Sequence, residues 1–301
     1  MNVIIVGGTG LIGSALHKSL ADQDHHVTII SRFPDKATPE LPADAQVLGA
    51  ISQVSEDHTV DAVVNLAGAQ IVGKRWTRAR KQLIWESRVD LTRNIVRWLE
   101  KREQKPQVLV SGSAIGFYGN CGELNIDEKQ GPGQDFGARL CVAWEAEALK
   151  AEQFGIRVCL ARTGLVLSTR GGILQQMMPP FRLGFGAKIS QGLQWMSWIH
   201  INDQIAALER LIKDRELNGA FNLTAPEAVC NKEFSHALAR VLKKPCFFTI
   251  PGQAIRMVLG EAAELLLGGQ HVSPKRLLDH EFYFQHPTIE QALQDLLQQH
   301  R

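Results

Sequence analysis

The chain has 301 residues, enough for one large α/β domain or two modest ones and too many for a small stapled module. Hydrophobic residues make up 45% and charged residues 21%, so a sizeable core can be buried. Thirty-three basic against thirty-one acidic side chains leave +2, which excludes the basic surplus a nucleic-acid binder needs to displace phosphate counterions.

Val3–Val6 reads as a strand, Leu11–Asp22 as a helix, Val27–Ser31 as a strand and Val47–Leu48 as a short one. Val60–Leu66 is a run of the doubly buried kind. Arg78–Glu100 reads as one helix, with Leu83, Ile84, Val89, Leu91, Ile95, Val96 and Leu99 at helical spacing. Val108–Ser111 is a strand, Leu140–Phe154 a helix and Ile156–Arg162 a strand. Such alternation means right-handed crossovers and a parallel sheet. After Gly164 the pattern loosens. Gly171-Gly172, Pro179-Pro180 and Gly184-Phe185-Gly186 punctuate a loop-rich stretch up to Gln194. Helices are expected at Gln204–Lys213, Asn231–Leu242, Ala254–Leu267 and Thr288–Gln299, with a short strand at Ala220–Thr224. Ala254–Gly269 is the greasiest segment. Its Arg256, Glu261 and Glu264 and its short length fit a core helix or a partner-binding helix, and no membrane span is expected. The expected fold is a Rossmann-type doubly wound parallel sheet with a smaller, mostly helical C-terminal lobe. The sheet domain takes residues 1–165 and about 195–225, and the lobe takes 166–194 and 226–301.

The start of the chain has no basic segment ahead of its short apolar run, so no secretory leader is expected. Five Cys, at 121, 141, 159, 230 and 246, form no C-x-x-C pair, and no H-E-x-x-H occurs. Reduced thiols, a cytoplasmic setting and no metal are therefore expected.

The first strand runs into Gly7-Gly8-Thr9-Gly10-Leu11-Ile12-Gly13, and a helix follows. Glycines there permit a sharp turn, close backbone approach to a pyrophosphate and tight helix–strand contact. The helix start adds free N–H groups and a positive dipole end. Gly8 and Gly13 have the spacing of a P-loop, but Ser14-Ala15 stands where Lys-Ser/Thr is required. An acid at the end of the second strand would select NAD through the ribose 2′-OH. This chain has Ser31-Arg32, with no acid before Asp35. A guanidinium and a hydroxyl suit a 2′-phosphate, so NADP(H) is the expected cofactor, with Lys36 as a second cation.

The glycines at 7, 10 and 13, with Asn65-Leu66-Ala67-Gly68, resemble the extended short-chain dehydrogenase/reductases. So do Ser111-Gly112-Ser113 before Tyr118-Gly119, Arg162-Thr163-Gly164, and Trp198-Ile199-His200-Ile201-Asn202-Asp203. Gly73-Lys74-Arg75-Trp76, Glu86-Ser87-Arg88, Trp144-Glu145, Leu259-Gly260-Glu261 and Pro274-Lys275-Arg276-Leu277 look like the atypical epimerase family (YfcH-like) branch, including its C-terminal domain of unknown function. The resemblance implies that Ala67-Gly68-Ala69 line the cofactor and that Arg88 stands where most relatives have an Asn near the ribose. It also implies that Leu165, after Arg162-Thr163-Gly164, sits near the nicotinamide end, and that Arg162 is among the cofactor-binding residues.

Typical members use Tyr-x-x-x-Lys, in which the lysine's charge lowers the pKa of a tyrosine that is otherwise a poor base at neutral pH. If Glu145 matches the glutamate that often follows the lysine, Gly137 and Cys141 stand in the two positions. The chain has only two Tyr, at 118 and 283, so a shifted register rescues nothing. What remains for catalysis is Ser113, where relatives orient the substrate oxygen, and Tyr118, which either contacts substrate or packs. Cys141 is either an activated thiol or an inert buried one. Lys74, Arg75 and Trp76 either hold a ligand or start a solvated helix, and His200 is either buried or in the cleft. The resemblance thus implies an NADP(H)-binding oxidoreductase or epimerase acting on an unknown small molecule, without the usual catalytic pair. The alternative is a non-catalytic NADP(H)-binding redox sensor or regulator, a class that includes relatives labelled as linked to cell division.

Overall fold

The computed structural model describes residues 1–32, 34 and 45–298. Strand β1 (Asn2–Val6) leads through the glycine turn into α1 (Leu11–Ala21), which returns to β2 (His26–Ile30). Then come β3 (Gln46–Leu48), β4 (Ala62–Asn65), α2 (Arg78–Trp85), α3 (Leu91–Lys101), β5 (Val108–Ala114) and β6 (Asn125–Ile126). Next are α4 (Phe136–Leu149), β7 (Arg157–Thr163), β8 (Leu165–Leu167), α5 (Gly172–Arg182), β9 (Ala187–Ile189), β10 (Trp195–Met196) and β11 (Trp198–His200). The chain continues with α6 (Ile201–Lys213), β12 (Gly219–Leu223), β13 (Val229–Cys230), α7 (Asn231–Leu242), β14 (Phe248–Ile250) and α8 (Gly252–Leu259). It ends with α9 (Glu264–Leu267), β15 (His271–Val272), α10 (Lys275–Asp279) and α11 (Ile289–Gln298).

Seven strands form one parallel sheet in the order β12-β7-β5-β4-β1-β2-β3. Side chains alternate between its faces. Val3 and Ile5 join the core made with Leu16 and Leu20 of α1 and Leu208 and Leu211 of α6. Ile4 and Val6 join the opposite core, made with Ile95 and Leu99 of α3. Both faces are therefore covered, which is why these strands read as nearly unbroken apolar runs. A third core belongs to the helical C-terminal part, where Phe234 and Leu238 of α7 meet Leu293 and Leu296 of α11. Short parallel pairs, β15 with β6 and β14 with β9, tie distant segments together.

Three sequence expectations need correction. Arg78–Glu100 is not one regular helix: a π turn at Glu86–Asp90 separates α2 from α3. The loop-rich stretch before Gln194 contains α5, with Pro179 and Pro180 inside its last turns. The two missing N–H groups weaken that end, but Leu174, Met178 and Phe181 are buried in the third core, and packing outweighs the loss. Ala254–Gly269 is not a core helix. Gly260, at φ +58°, ends α8, and Met257 and Val258 are 78% and 67% exposed. Among the described residues no helix is long and apolar enough to cross a membrane.

Candidate functional site

The glycine turn lies at the carboxyl edge of the sheet, where open α/β sheets bind ligands. Gly7 has φ +85°, and an added Cβ would sit 2.8 Å from the Ala67 backbone. A Cβ on Gly13 would lie 2.4 Å from the Gly7 carbonyl oxygen, so α1 packs on the turn as only glycine allows. Gly10, the N-cap of α1, differs: a Cβ there meets only the Gly7 oxygen, at 3.3 Å. The first N–H groups of α1 thus open toward a cavity of about 940 Å³. Thr9 and Gly10 line one side, Ser31 and Arg32 the end of β2, and Ala67 and Gly68 the end of β4. The Oγ atoms of Thr9 and Ser31 are 3.2 Å apart, and Arg32 stands exposed at the rim. The side chain of Leu11 faces Gly171 and that of Ile12 packs on the core. Asp35 and Lys36 fall outside the described residues.

The far side of Gly68 is occupied by Arg88. A Cβ on Gly68 would lie 2.7 Å from the guanidinium carbon. Arg88 Nη1 donates to the Ala69 carbonyl at 3.0 Å, while the Ala69 N–H donates to Ser87 Oγ at 3.0 Å. Its guanidinium carbon is 5.4 Å from the Trp144 ring centroid. Burial pushes this guanidinium down to about 10, so it stays charged at neutral pH.

Beyond Arg88 lies a buried polar chain. Ser113 Oγ donates to Glu145 Oε1 at 2.6 Å. Arg162 Nε and Nη2 donate to the two oxygens of the same carboxylate, each at 2.8 Å. Arg162 Nη1 donates to Tyr118 Oη at 3.1 Å, and Tyr118 Oη donates to Asn222 Oδ1 at 2.6 Å. Burial alone would lower the pKa of Arg162, but the hydrogen bonds and charge of Glu145 outweigh it and hold the group above its usual value. Burial pushes the Tyr118 hydroxyl up to about 12. Ser113 and Tyr118 therefore lie in one network, and each spends its single O–H proton inside it. The sequence marks Glu145 only as a register point for the missing Tyr-x-x-x-Lys pair, and gives neither it nor Asn222 a pairing role. They sit 32 and 104 residues from the hydroxyls they serve, and no local pattern marks such pairs.

The open alternatives resolve as follows. Cys141 is in the second turn of α4, buried against Ser113 and the Ala114 backbone, and burial pushes its thiol up to about 12. This is the inert environment. Trp76 is docked, its ring 5.2 Å from Phe136 and its Nε1 donating to the Ile71 carbonyl at 3.0 Å. Arg75 lies beside Gly260, and Lys81 pairs with Glu261 at 2.7 Å, so the segment after β4 and the start of α2 touch the C-terminal part. Leu165 sits in the seam between β8 and β11, its N–H bonded to the Ser197 carbonyl. His200 is 1% exposed and caps α6, with Nδ1 accepting from the Asn202 N–H at 3.1 Å. Its Nε2 is 3.3 Å from Asp295 Oδ2, and its ring is 3.9 Å from that of His286. Among the described residues these three are the group that could converge on a metal ion. With Nδ1 accepting, however, the neutral ring carries its proton on Nε2, the atom a metal would need.

The NAD dependent epimerase/dehydratase family model matches residues 3–224, and a domain of unknown function, DUF1731, matches residues 250–296. An epimerase family protein of Mycobacterium bovis is 41% identical over 295 residues, covering 97% of this chain and 96% of its own. One from Staphylococcus haemolyticus is 39% identical, covering 98% of each. The crystal structure of human epimerase family protein SDR39U1 with NADPH superposes with a TM-score of 0.90 at 30% identity, covering 99% of each chain. A UDP-galactose 4-epimerase, at 17% identity and TM-score 0.75, shares the fold.

Proposed function

The chain belongs to the NAD dependent epimerase/dehydratase family of extended short-chain dehydrogenase/reductases, and from that membership we propose that it binds NADP(H) and acts as an oxidoreductase or epimerase on a small molecule. A single observation carries it: the recess over Gly10 opens between an uncapped helix start and a β2 end that presents Ser31 and Arg32 in place of a carboxylate. The human relative crystallised with NADPH supports the choice of cofactor. The turn at Gly7, Gly10 and Gly13, with the N–H groups of Leu11 and Ile12, holds the pyrophosphate. Thr9, Ser31 and Arg32 hold the 2′-phosphate, and Ala67, Gly68 and Ala69 line the middle. Arg88, Arg162 and Leu165 bound the nicotinamide end. Bound NADPH supplies a hydride. Ser113 and Tyr118 are the polar groups assigned to the substrate oxygen. For Ser113 to donate there, its O–H must turn away from Glu145.

One observation favours a second reading, a cofactor-responsive protein without turnover: both candidate hydroxyl protons are already committed, to Glu145 and Asn222. Two measurements separate the readings. Titration with NADPH and NADH is expected to give at least about tenfold tighter NADPH binding, lost in Arg32→Ala. NADPH consumption across a panel of carbonyl substrates then decides. Tight binding with no turnover favours the regulator, and equal affinity for both cofactors overturns the assignment of Ser31 and Arg32.

A further inference from the structure

The face of α4 that meets the cleft lacks the cation its relatives would carry there. Where the resemblance expects a lysine, Cys141 lies buried. Yet a cation stands over that face, delivered from the opposite wall. Trp144 follows Cys141 by three residues and shares its side of the helix. The Arg88 guanidinium lies across that indole, within electrostatic reach of the Cys141 sulfur.

Three independent features aim Arg88 there. It is the central residue of the π turn Glu86–Asp90, a local rewinding that regular helix geometry does not require and that recurs at functional sites. Its Nη1 is pinned to the Ala69 carbonyl. Gly68 has no side chain, and any Cβ there would strike the guanidinium. The hydrogen-bond partners of Arg88 are neutral oxygens of Ala69, Ile84 and Ser87. Among the described residues no carboxylate pairs with it. A half-buried guanidinium whose protein partners are all neutral favours a ligand rich in acceptor oxygens.

Its position says which part of the ligand. Gly68 lines the cavity that begins at Ser31 and Arg32, and Arg88 lies on the other side of Gly68, toward Ser113 and Cys141. We propose that Arg88 replaces the missing lysine: it donates to the hydroxyl oxygens of the nicotinamide ribose and provides the positive charge beside Ser113, while the small side chain of Cys141 leaves room for it. This rests on the NADP(H) reading above and deepens it by dividing the cofactor between two cations, Arg32 for the adenosine half and Arg88 for the nicotinamide half.

The test compares NADPH with adenosine 2′,5′-bisphosphate, which is the adenosine half alone, by calorimetric titration of the full-length protein. Arg88→Gln is expected to weaken NADPH by about tenfold or more and to leave the bisphosphate within about twofold of wild type. Arg88→Lys keeps the charge, loses the planar fork and is expected to fall between. Equal weakening of both ligands by Arg88→Gln would show a structural role and overturn the proposal, as would unchanged NADPH affinity. If Arg88→Gln does not fold, Arg88→Lys decides on the same comparison. Failure of the NADP(H) reading itself is recognised separately, because the wild-type protein would then bind neither ligand.

Discussion

Arg162 and Glu145 meet side by side beneath the carboxyl edge of the sheet, two guanidinium nitrogens on two carboxylate oxygens at 2.8 Å each, with both side chains more than nine-tenths buried. The pair links β7 to α4. Through Ser113 it reaches β5, and through Tyr118 and Asn222 it reaches β12. Four elements around the candidate site are thus fixed by one polar chain.

Breaking that pair from one side leaves a buried charge unpaired. Glu145→Gln and Arg162→Met are each expected to destabilise the protein by about 3 kcal/mol or more. The double variant Glu145→Gln, Arg162→Met is expected to cost less than the sum of the single losses. Urea unfolding of the three variants checks this; strict additivity would show that the two groups are not coupled.

Gly10 and Gly13 separate ligand space from packing space. Gly10→Ala is expected to leave the melting temperature nearly unchanged and to weaken NADPH binding, because its Cβ enters the open recess. Gly13→Ala is expected to lower both, because its Cβ is driven onto the Gly7 carbonyl. Thermal melts paired with NADPH titration distinguish the two cases.

Burial and the neighbouring His286 lower the pKa of His200 from 6.5 to about 4, against the opposing pull of Asp295. The unfolded chain therefore takes up this proton at higher pH than the native chain. Stability from this group is fully present above pH 6.5 and is lost progressively as pH falls toward 4. His200→Asn, whose side chain can still cap α6, is expected to flatten the pH dependence of unfolding in that window. An unchanged slope would show that His200 does not carry the effect.

Thiol labelling separates packing from reactivity. Burial pushes Cys141 up to about 12 and Cys159 up to about 11, whereas Cys121, Cys230 and Cys246 are only half-buried. At mildly alkaline pH the native protein is expected to label first at those three, with Cys141 and Cys159 reacting on unfolding. Rapid modification of native Cys141, located by mass spectrometry, would contradict the inert assignment.

The central sheet was legible because its inner strands are buried on both faces, so their composition alone identifies them. Val63 and Val64 belong to opposite cores, yet both are apolar. The glycine turn was legible because backbone clashes at Gly7 and Gly13 leave no other residue. The π turn was not: Leu83, Ile84, Val89 and Leu91 keep a nearly helical spacing through it, and one extra residue per turn hardly disturbs that pattern. α5 was missed because Pro179 and Pro180 signal an end to helix while the buried Met178 and Phe181 hold it. The polar chain from Ser113 to Asn222 was invisible for another reason: its members are brought together by the sheet, and the sheet order emerges only in three dimensions.

That order also bears on synthesis. From β1 the strands β4, β5, β7 and β12 are added in the order in which they are translated, each beside the last. A chain emerging N-terminal end first presents the glycine turn, β2 and the Ala67–Gly68 edge before α4, and with it Glu145, has been made. The pairing of β15 with β6 comes last, joining His271 to Asn125. Because Val3, Ile5, Leu16 and Leu20 share one core with Leu208 and Leu211 of α6, the first-made strands stay uncovered on one face until residues beyond 200 have been added.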